Sequence, residues 1–333
     1  MARKYSVILG NLGNTKDRFC GGYKDNPDTM TMLKKAAAIP YVEGIELVGT
    51  WDIRPDNVKE MKRALSDAGV ECVSIIPDIF ADKIYWKGSY SAPDASVRRH
   101  SIDYTRKMCD VAQEMECRTL NIWPGQDGFD YLLAADYENQ RKWFCEAIQE
   151  IAEAYPELRI ALEYKPKEPR THSYIARMAD TILMAKDTGC SNVGVCIDTG
   201  HAYVAGESVG EAIVLAKRAH GGYDDTAGLL FHMHFNDNHS LWDDDMIVGT
   251  VHSTTYIETF YWLDRCGYDS WISMDQYPYR EDAADAIGES IHWLRAFDHI
   301  VQEHRTEIDA LVAGNDAVET SRFLRKVMIP QVK

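Results

Sequence analysis

The chain is short of positive charge, and it lacks the features that would commit it to a membrane, a disulfide framework or a nucleic acid. Lys and Arg number 36 against 52 Asp and Glu, so the formal balance is 36 − 52 = −16 over 333 residues. A surface this acidic repels phosphate backbones and anionic bilayers, which argues against nucleic-acid and membrane partners. No apolar run reaches the ~20 residues that a spanning helix needs. The opening Met1-Ala2-Arg3-Lys4-Tyr5 leads straight into a strand-like run without the apolar stretch of a signal peptide, so a soluble, cytoplasmic protein is expected. The cysteines (Cys20, Cys72, Cys109, Cys117, Cys145, Cys190, Cys196 and Cys266) include no CxxC pair. Several sit in apolar runs such as Val193-Gly194-Val195-Cys196-Ile197, so reduced core thiols are expected rather than a zinc ribbon or disulfides. No GxGxxG follows an early strand, which weighs against dinucleotide binding. No linker or low-complexity tract divides the chain.

What is present is a recurring pair: a short apolar run, then a segment of helical period. The strand candidates are Tyr5–Asn11, Val42–Gly49, Glu71–Asp78, Arg118–Gly125, Arg159–Lys165, Val193–Gly200, Leu230–Asp237 and Ser270–Gln276. Helical stripes lie between them. Pro55–Ala68, for instance, carries Val58, Met61 and Leu65 on one face. Ser96–Met115, Asp136–Ala154, Tyr174–Asp187, Ser208–Ala219, Thr255–Cys266 and Asp282–His304 follow the same pattern. Eight such units predict an α/β fold, a (β/α)8 barrel over residues 1–300, with an open eight-stranded sheet as the alternative. Residues 301–333 read as a C-terminal helical extension with Ile308, Leu311, Val312, Val318, Phe323 and Leu324 as its apolar positions. It would pack on the barrel or reach a partner subunit, and a homo-oligomer (dimer or tetramer) is expected.

A barrel puts its functional groups at the C-terminal ends of its strands, and polar residues concentrate there. Alternate strand residues share a face, so Glu163 and Lys165 point the same way. His232, His234 and Asn236 share a face opposite Met233 and Phe235. With the polar sets turned inward, Glu163, Asp198, His234 and Asp275 converge from four successive strands. Three carboxylates in one place repel and raise one another's pKa, and a divalent ion resolves the conflict. Three oxygen donors and one nitrogen suit Mn²⁺, Mg²⁺ or Co²⁺, with Zn²⁺ a further candidate. A second group follows, with His201 three residues past Asp198 and Asp243 and Asp245 in the loop after the seventh strand. It predicts a second ion bridged to the first by Asp198, two metals ~4 Å apart that polarise adjacent substrate oxygens.

These segments resemble the xylose isomerase-like barrels, on their L-rhamnose isomerase and xylose isomerase side. Glu163-Tyr164-Lys165-Pro166-Lys167-Glu168-Pro169 resembles the Glu-x-Lys-Pro-x-Glu-Pro signature of xylose isomerases. Asp198-Thr199-Gly200-His201 resembles their carboxylate-x-x-His step, with Asp in place of Glu. Phe231-His232-Met233-His234-Phe235-Asn236 resembles a Phe-His-x-Asp-x-Asn strand, with His at the ligand position as in rhamnose isomerases. Asp243-x-Asp245-x-x-x-Gly249 resembles the second-metal loop, and Trp123-Pro124-Gly125-Gln126-Asp127-Gly128 a segment at the sugar site.

The resemblance implies a metal-dependent isomerase that interconverts an aldose and a ketose, and two cations beside Lys165, without a clear pair of acid and base glutamates, favour a 1,2-hydride shift. The first ion would take Glu163, Asp198, His234 and Asp275, and the second Asp198, His201, Asp243 and Asp245. Lys165 would hydrogen-bond the sugar carbonyl, and Glu163 or Asp275 would be the base of any proton-transfer route. Trp123, His201, Asn236 and Trp86 are expected to contact a monosaccharide. One departure is the loop Pro77–Trp86, which lacks a ring-opening His and leaves Asp78 as its candidate. Glu46 on the second strand faces either the pocket or the core. The rival readings are a ketose 3-epimerase, a lyase-like subunit that cleaves carbon–glycoside bonds, an abasic-DNA endonuclease and a non-catalytic sugar-binding barrel. The acidic balance opposes the endonuclease.

Overall fold

Eight parallel strands close into a barrel in the computed structural model, which describes residues 3–16, 19–219 and 228–329. They are β1 (Tyr5–Ile8), β2 (Val42–Val48), β3 (Glu71–Ile76), β4 (Thr119–Ile122), β5 (Arg159–Glu163), β6 (Val193–Asp198), β7 (Leu230–Phe235) and β8 (Ile272–Met274). Each pairs with its neighbour in the chain, and β8 returns to β1 with Tyr5 opposite Ile272 and Val7 opposite Met274. The (β/α)8 barrel, not the open sheet, is the fold. Every expected strand forms, and all eight stop one to three residues short of the expected C-terminal end. The polar residues there leave the ladder and become the mouth of the barrel.

The helices form where the apolar stripes are. α1 is Thr29–Ala38, α2 Val58–Ala68, α3 Ala95–Glu114, α4 Tyr137–Ala154, α5 Met178–Asp187, α6 Thr199–Val204, α7 Val209–Arg218 and α8 Ser253–Arg265. In α2 the stripe Val58, Met61, Leu65 is buried, and Gly69 ends the helix with a left-handed φ of 72° that costs glycine no Cβ clash. Part of the acidic excess caps helices: Asp28, Asp94 and Asp136 each accept a backbone N–H of the first turn. Met233 and Phe235 of β7 face outward against α8, where Phe235 stacks on Phe260 at 6.2 Å. That places His232 and His234 in the interior, as strand parity requires.

The last barrel helix, α9 (Ala283–Glu303), crosses residue 300 without a break. α10 (Arg305–Gly314) and α11 (Ala317–Met328) follow. α10 docks on the barrel through Tyr261 Oη, which donates to Asp309 Oδ1 at 2.9 Å, and Arg305 lies 5.0 Å over the Tyr261 ring. Phe323 of α11 packs edge-on against His304 at 5.5 Å. Residues 330–333 of the expected extension lie outside the described residues. A three-stranded sheet at the mouth, Gly128–Phe129, Thr171–Ser173 and Lys167–Glu168, was not anticipated. Among the described residues no cysteine is joined in a disulfide, and no helix is long and apolar enough to cross a membrane.

Candidate metal centre

Glu163 ends β5, Asp198 ends β6, His234 is the fifth residue of β7, and Asp275 lies one past β8. The sheet register sets His234 level with Asp198 on one side and Ser273 on the other. One donor atom from each of Glu163, Asp198, His234 and Asp275 lies within 4.8 Å of the others. His234 Nδ1 is 3.3 Å from both Glu163 Oε2 and Asp275 Oδ2.

An asparagine amide holds each carboxylate. Asn121 Nδ2 donates to Glu163 Oε2 at 2.6 Å, and Asn236 Nδ2 donates to Asp198 Oδ2 at 2.9 Å and Oδ1 at 3.2 Å. Asn11 Nδ2 donates to Asp275 Oδ1 at 3.4 Å. Asp198 Oδ1 also accepts the backbone N–H of His201 at 2.8 Å, so this residue caps the short helix α6 and is fixed twice.

The second expected group is brought together in part. Donor atoms of Asp198, His201 and Asp243 lie within 4.8 Å of one another. His201 Nε2 is 3.1 Å from Asp243 Oδ2, and its Nδ1 is 3.3 Å from Glu163 Oε1. Asp245 lies outside this cluster, although it lines the same cavity. Its backbone is left-handed, at φ 51°. Lys165 projects over Trp123 at 5.3 Å and pairs with Asp243 Oδ2 at 2.8 Å and Glu168 Oε2 at 2.6 Å.

Burial and charge set the protonation of the cluster. Burial pushes Asp198 up to about 7, with Asp243, Asp275 and Glu163 adding to the rise and His201 opposing it. Burial alone would lower His201, but Asp198 and Asp243 overcome it and raise the imidazole to about 9. Burial would raise Glu163, yet His234 and His201 and the Asn121 hydrogen bond bring it down to about 2. Burial disfavours the charge on Lys165, and Asp243, Glu168 and Asp245 more than restore it.

The donor set fits a divalent cation. His201 Nδ1 and His234 Nδ1 are buried without a hydrogen-bond partner, and each faces carboxylate oxygens. Buried polar atoms are costly to leave unpaired, and a cation at this point would pair both. Oxygen donors dominate, as hard or borderline ions prefer. Cys196 also lies beside Glu163 and His234, and burial pushes its thiol well up.

A cavity of about 1020 Å³ opens over this cluster. Trp51, Phe80 and Trp123 form one connected wall, with ring centroids 6.0 and 4.7 Å apart. Trp242 and Tyr277 also line it. Trp123 is therefore where the sequence motif placed it. Two other expected substrate contacts are corrected. Trp86 is 73% exposed, lies under Lys87 at 4.5 Å and does not line the cavity. Asn236 is fully buried, its Nδ2 donates to Asp198, and it does not line the cavity. Asp78 accepts from Trp51 Nε1 at 3.0 Å and from Thr50 Oγ1, and it also lies outside the cavity lining. Sequence reasoning missed Trp51, Phe80, Trp242, Tyr277, Asn11 and Asn121. Strand parity could have found Asn121, two residues before Trp123. The aromatics come from loops with no motif.

A family model described as xylose isomerase-like TIM barrel matches residues 33–297. The xylose isomerase of Thermus thermophilus is 24% identical over 293 residues, spanning 84% of this chain and 73% of the relative. Among solved structures, an L-ribulose 3-epimerase superposes with a TM-score of 0.70 at 14% identity, covering 92% of this chain and 98% of that one. A D-psicose 3-epimerase crystallised in the presence of D-fructose gives a TM-score of 0.67 at 16% identity, over 89% and 99%. At these identities the two structures speak to the fold.

Proposed function

The chain belongs to the xylose isomerase-like TIM-barrel family, and we propose that it is a divalent-cation-dependent sugar isomerase that interconverts an aldose and a ketose. The observation that carries this reading is the convergence of Glu163, Asp198, His234 and Asp275 beside a second cluster of Asp198, His201 and Asp243, beneath a cavity walled by aromatic rings. The first four residues would hold one ion. Asp198, His201 and Asp243 would hold the second, with Asp245 adjacent. Mn²⁺, Mg²⁺ or Co²⁺ suits the oxygen-rich set. Bound there, the ions supply Lewis-acid polarisation of adjacent sugar oxygens.

The chain's own groups do the rest. Asn11, Asn121 and Asn236 hold the three carboxylates in place. Lys165 hydrogen-bonds the carbonyl oxygen of the open-chain sugar, where a charged donor stabilises developing negative charge. Trp123, braced by Phe80, covers the carbon chain and keeps bulk water off it. The substrate is an unphosphorylated monosaccharide: no described arginine lines the cavity, and Arg170 is paired with Asp130 at 2.8 Å. With Glu163 and Asp275 taken as ligands and Lys165 at the carbonyl oxygen, hydrogen moves from C2 to C1 as hydride in this reading.

The test is an aldose deuterated at C2, incubated with the Mn²⁺-loaded protein in ordinary water. Ketose that keeps the label at C1 supports the reading. Loss of the label to solvent would replace it with proton abstraction. Ketose 3-epimerisation is the second reading, and what favours it is the pair Glu163 and Asp275, flanking His234 Nδ1 at 3.3 Å each like an acid and a base. A ketose product inverted at C3, with no aldose formed, would establish it.

A further inference from the structure

We propose that Glu46 is a positioning residue that sets His234 for cation binding; this rests on the metal reading of the site above. Glu46 lies on β2, across the barrel from β7, and is fully buried. Its Oε1 is 2.9 Å from His232 Nε2 and accepts a hydrogen bond from Ser273 Oγ. Its Oε2 is 3.4 Å from His234 Nε2 and accepts from Ser74 Oγ. An ionised carboxylate has about four acceptor sites and no donor. Here four groups, from β3, β7 and β8, occupy them.

Two consequences follow from that saturation. Donor atoms of Glu46, His232 and His234 sit close enough together to hold an ion, but the carboxylate has no lone pair left for one, so this cluster is a closed polar layer and not a third site. Also, an acceptor-only carboxylate requires the proton of His234 to sit on Nε2. A neutral imidazole carries one proton, so Nδ1 keeps its lone pair. Nδ1 is the atom that faces Glu163 and Asp275 with no hydrogen-bond partner. Glu46 thus fixes both the ring orientation and the tautomer of the one nitrogen donor in the first cation set, the role that carboxylates behind metal-bound histidines commonly play.

Glu46→Gln places an amide NH₂ where one of four donors already points, and it removes the reason for the Nε2–H tautomer. Calorimetric titration of the metal-free protein with Mn²⁺ should show binding about tenfold to a hundredfold weaker than in the wild type. Glu46→Asp, which keeps the charge, should recover part of the loss. Thermal unfolding in chelator reads the fold separately. Histidine ¹⁵N NMR of the Mg²⁺-loaded wild type should place the His234 proton on Nε2. Unchanged Mn²⁺ affinity in Glu46→Gln, or a proton on Nδ1 in the wild type, overturns the assignment while leaving the metal centre intact. A wild type that binds no cation overturns the metal reading and this one with it. If Glu46→Gln does not fold, the wild-type NMR result decides.

Discussion

Lys165 Nζ stands 2.8 Å from Asp243 Oδ2, the oxygen that also faces His201 Nε2 at 3.1 Å. A side chain expected to serve the sugar is thus also a counter-ion inside the second cation cluster. The ammonium and a divalent ion compete for one carboxylate, and binding the ion frees the lysine for the substrate. In Lys165→Gln that competition is gone. Affinity for the second ion should rise several-fold by Mn²⁺ calorimetry, while kcat falls by about a hundredfold or more from loss of the charged donor. A parallel fall in both quantities would show that Lys165 supports the cluster instead of opposing it.

The acidic residues of the seventh loop are not equivalent. Asp243 stands in the cluster with Asp198 and His201, and Asp245 stands outside it. Asp243→Asn should cut the bound Mn²⁺ from two ions to one per chain, measured by equilibrium dialysis with elemental analysis. Asp245→Asn should keep two ions, the second more weakly held. A wild type that saturates at one ion would remove the second site and favour the epimerase.

Protonation links stability to pH in a definite direction. Asp198 is raised to about 7 and His201 to about 9, so each contributes stability that is present at lower pH and lost as pH rises through those values. Glu163, lowered to about 2, contributes stability above its ordinary value of 4.5 that is lost as pH falls towards 2. The unfolding temperature of the metal-free protein should therefore decline as pH rises from 3.8 to about 7 through Asp198, and from 6.5 to about 9 through His201. A cation competes with the same protons, so Mn²⁺ affinity should climb over the same ranges. With ion at a hundred times its Kd, binding should add about 2.7 kcal/mol per site. Scanning calorimetry with and without chelator checks both trends.

Gly200 lies between Asp198 and His201, and a Cβ there would run into the Asn236 side-chain amide and meet Asn238 Nδ2 at 2.9 Å. Gly200→Ala should push Asn236 off Asp198, lower Mn²⁺ affinity and cost about 1–3 kcal/mol by overpacking. Denaturant unfolding and a Mn²⁺ titration measure the two effects.

The sequence made the barrel and its ion-binding corner legible because both follow from periodicity. Eight apolar runs mark eight strands, and parity alone turns His234 inward and Phe235 outward. Strand ends were overrun, as in Arg159–Lys165, which stops at Glu163, because polar residues at the mouth continue the alternation after their backbone has left the ladder. The sheet of Gly128–Phe129, Thr171–Ser173 and Lys167–Glu168 is built from pieces too short to have a period. Trp86 was misplaced for a related reason: an aromatic in a loop beside the mouth looks the same in sequence whether the loop folds over the cavity or away from it. Glu46 stayed ambiguous because its partners lie on β3, β7 and β8, up to 227 positions away.

That small sheet ties separate connections into one piece. It joins the segment after β4 to the one after β5 through Gly128 opposite Ser173 and Phe129 opposite His172, and Lys167 opposite His172 folds the latter segment back on itself. Asp127 adds the stretch after β3 by accepting the backbone N–H groups of Ser89 at 2.9 Å and Ser91 at 2.6 Å, while its own carbonyl takes the N–H of Tyr174 at 3.1 Å. Phe80, Trp123 and Lys165 stand at the roots of these three connections. They make up a single bank of the cavity, and any widening must shift that bank as a unit or fall to the opposite shore, where Trp242 and Tyr277 stand.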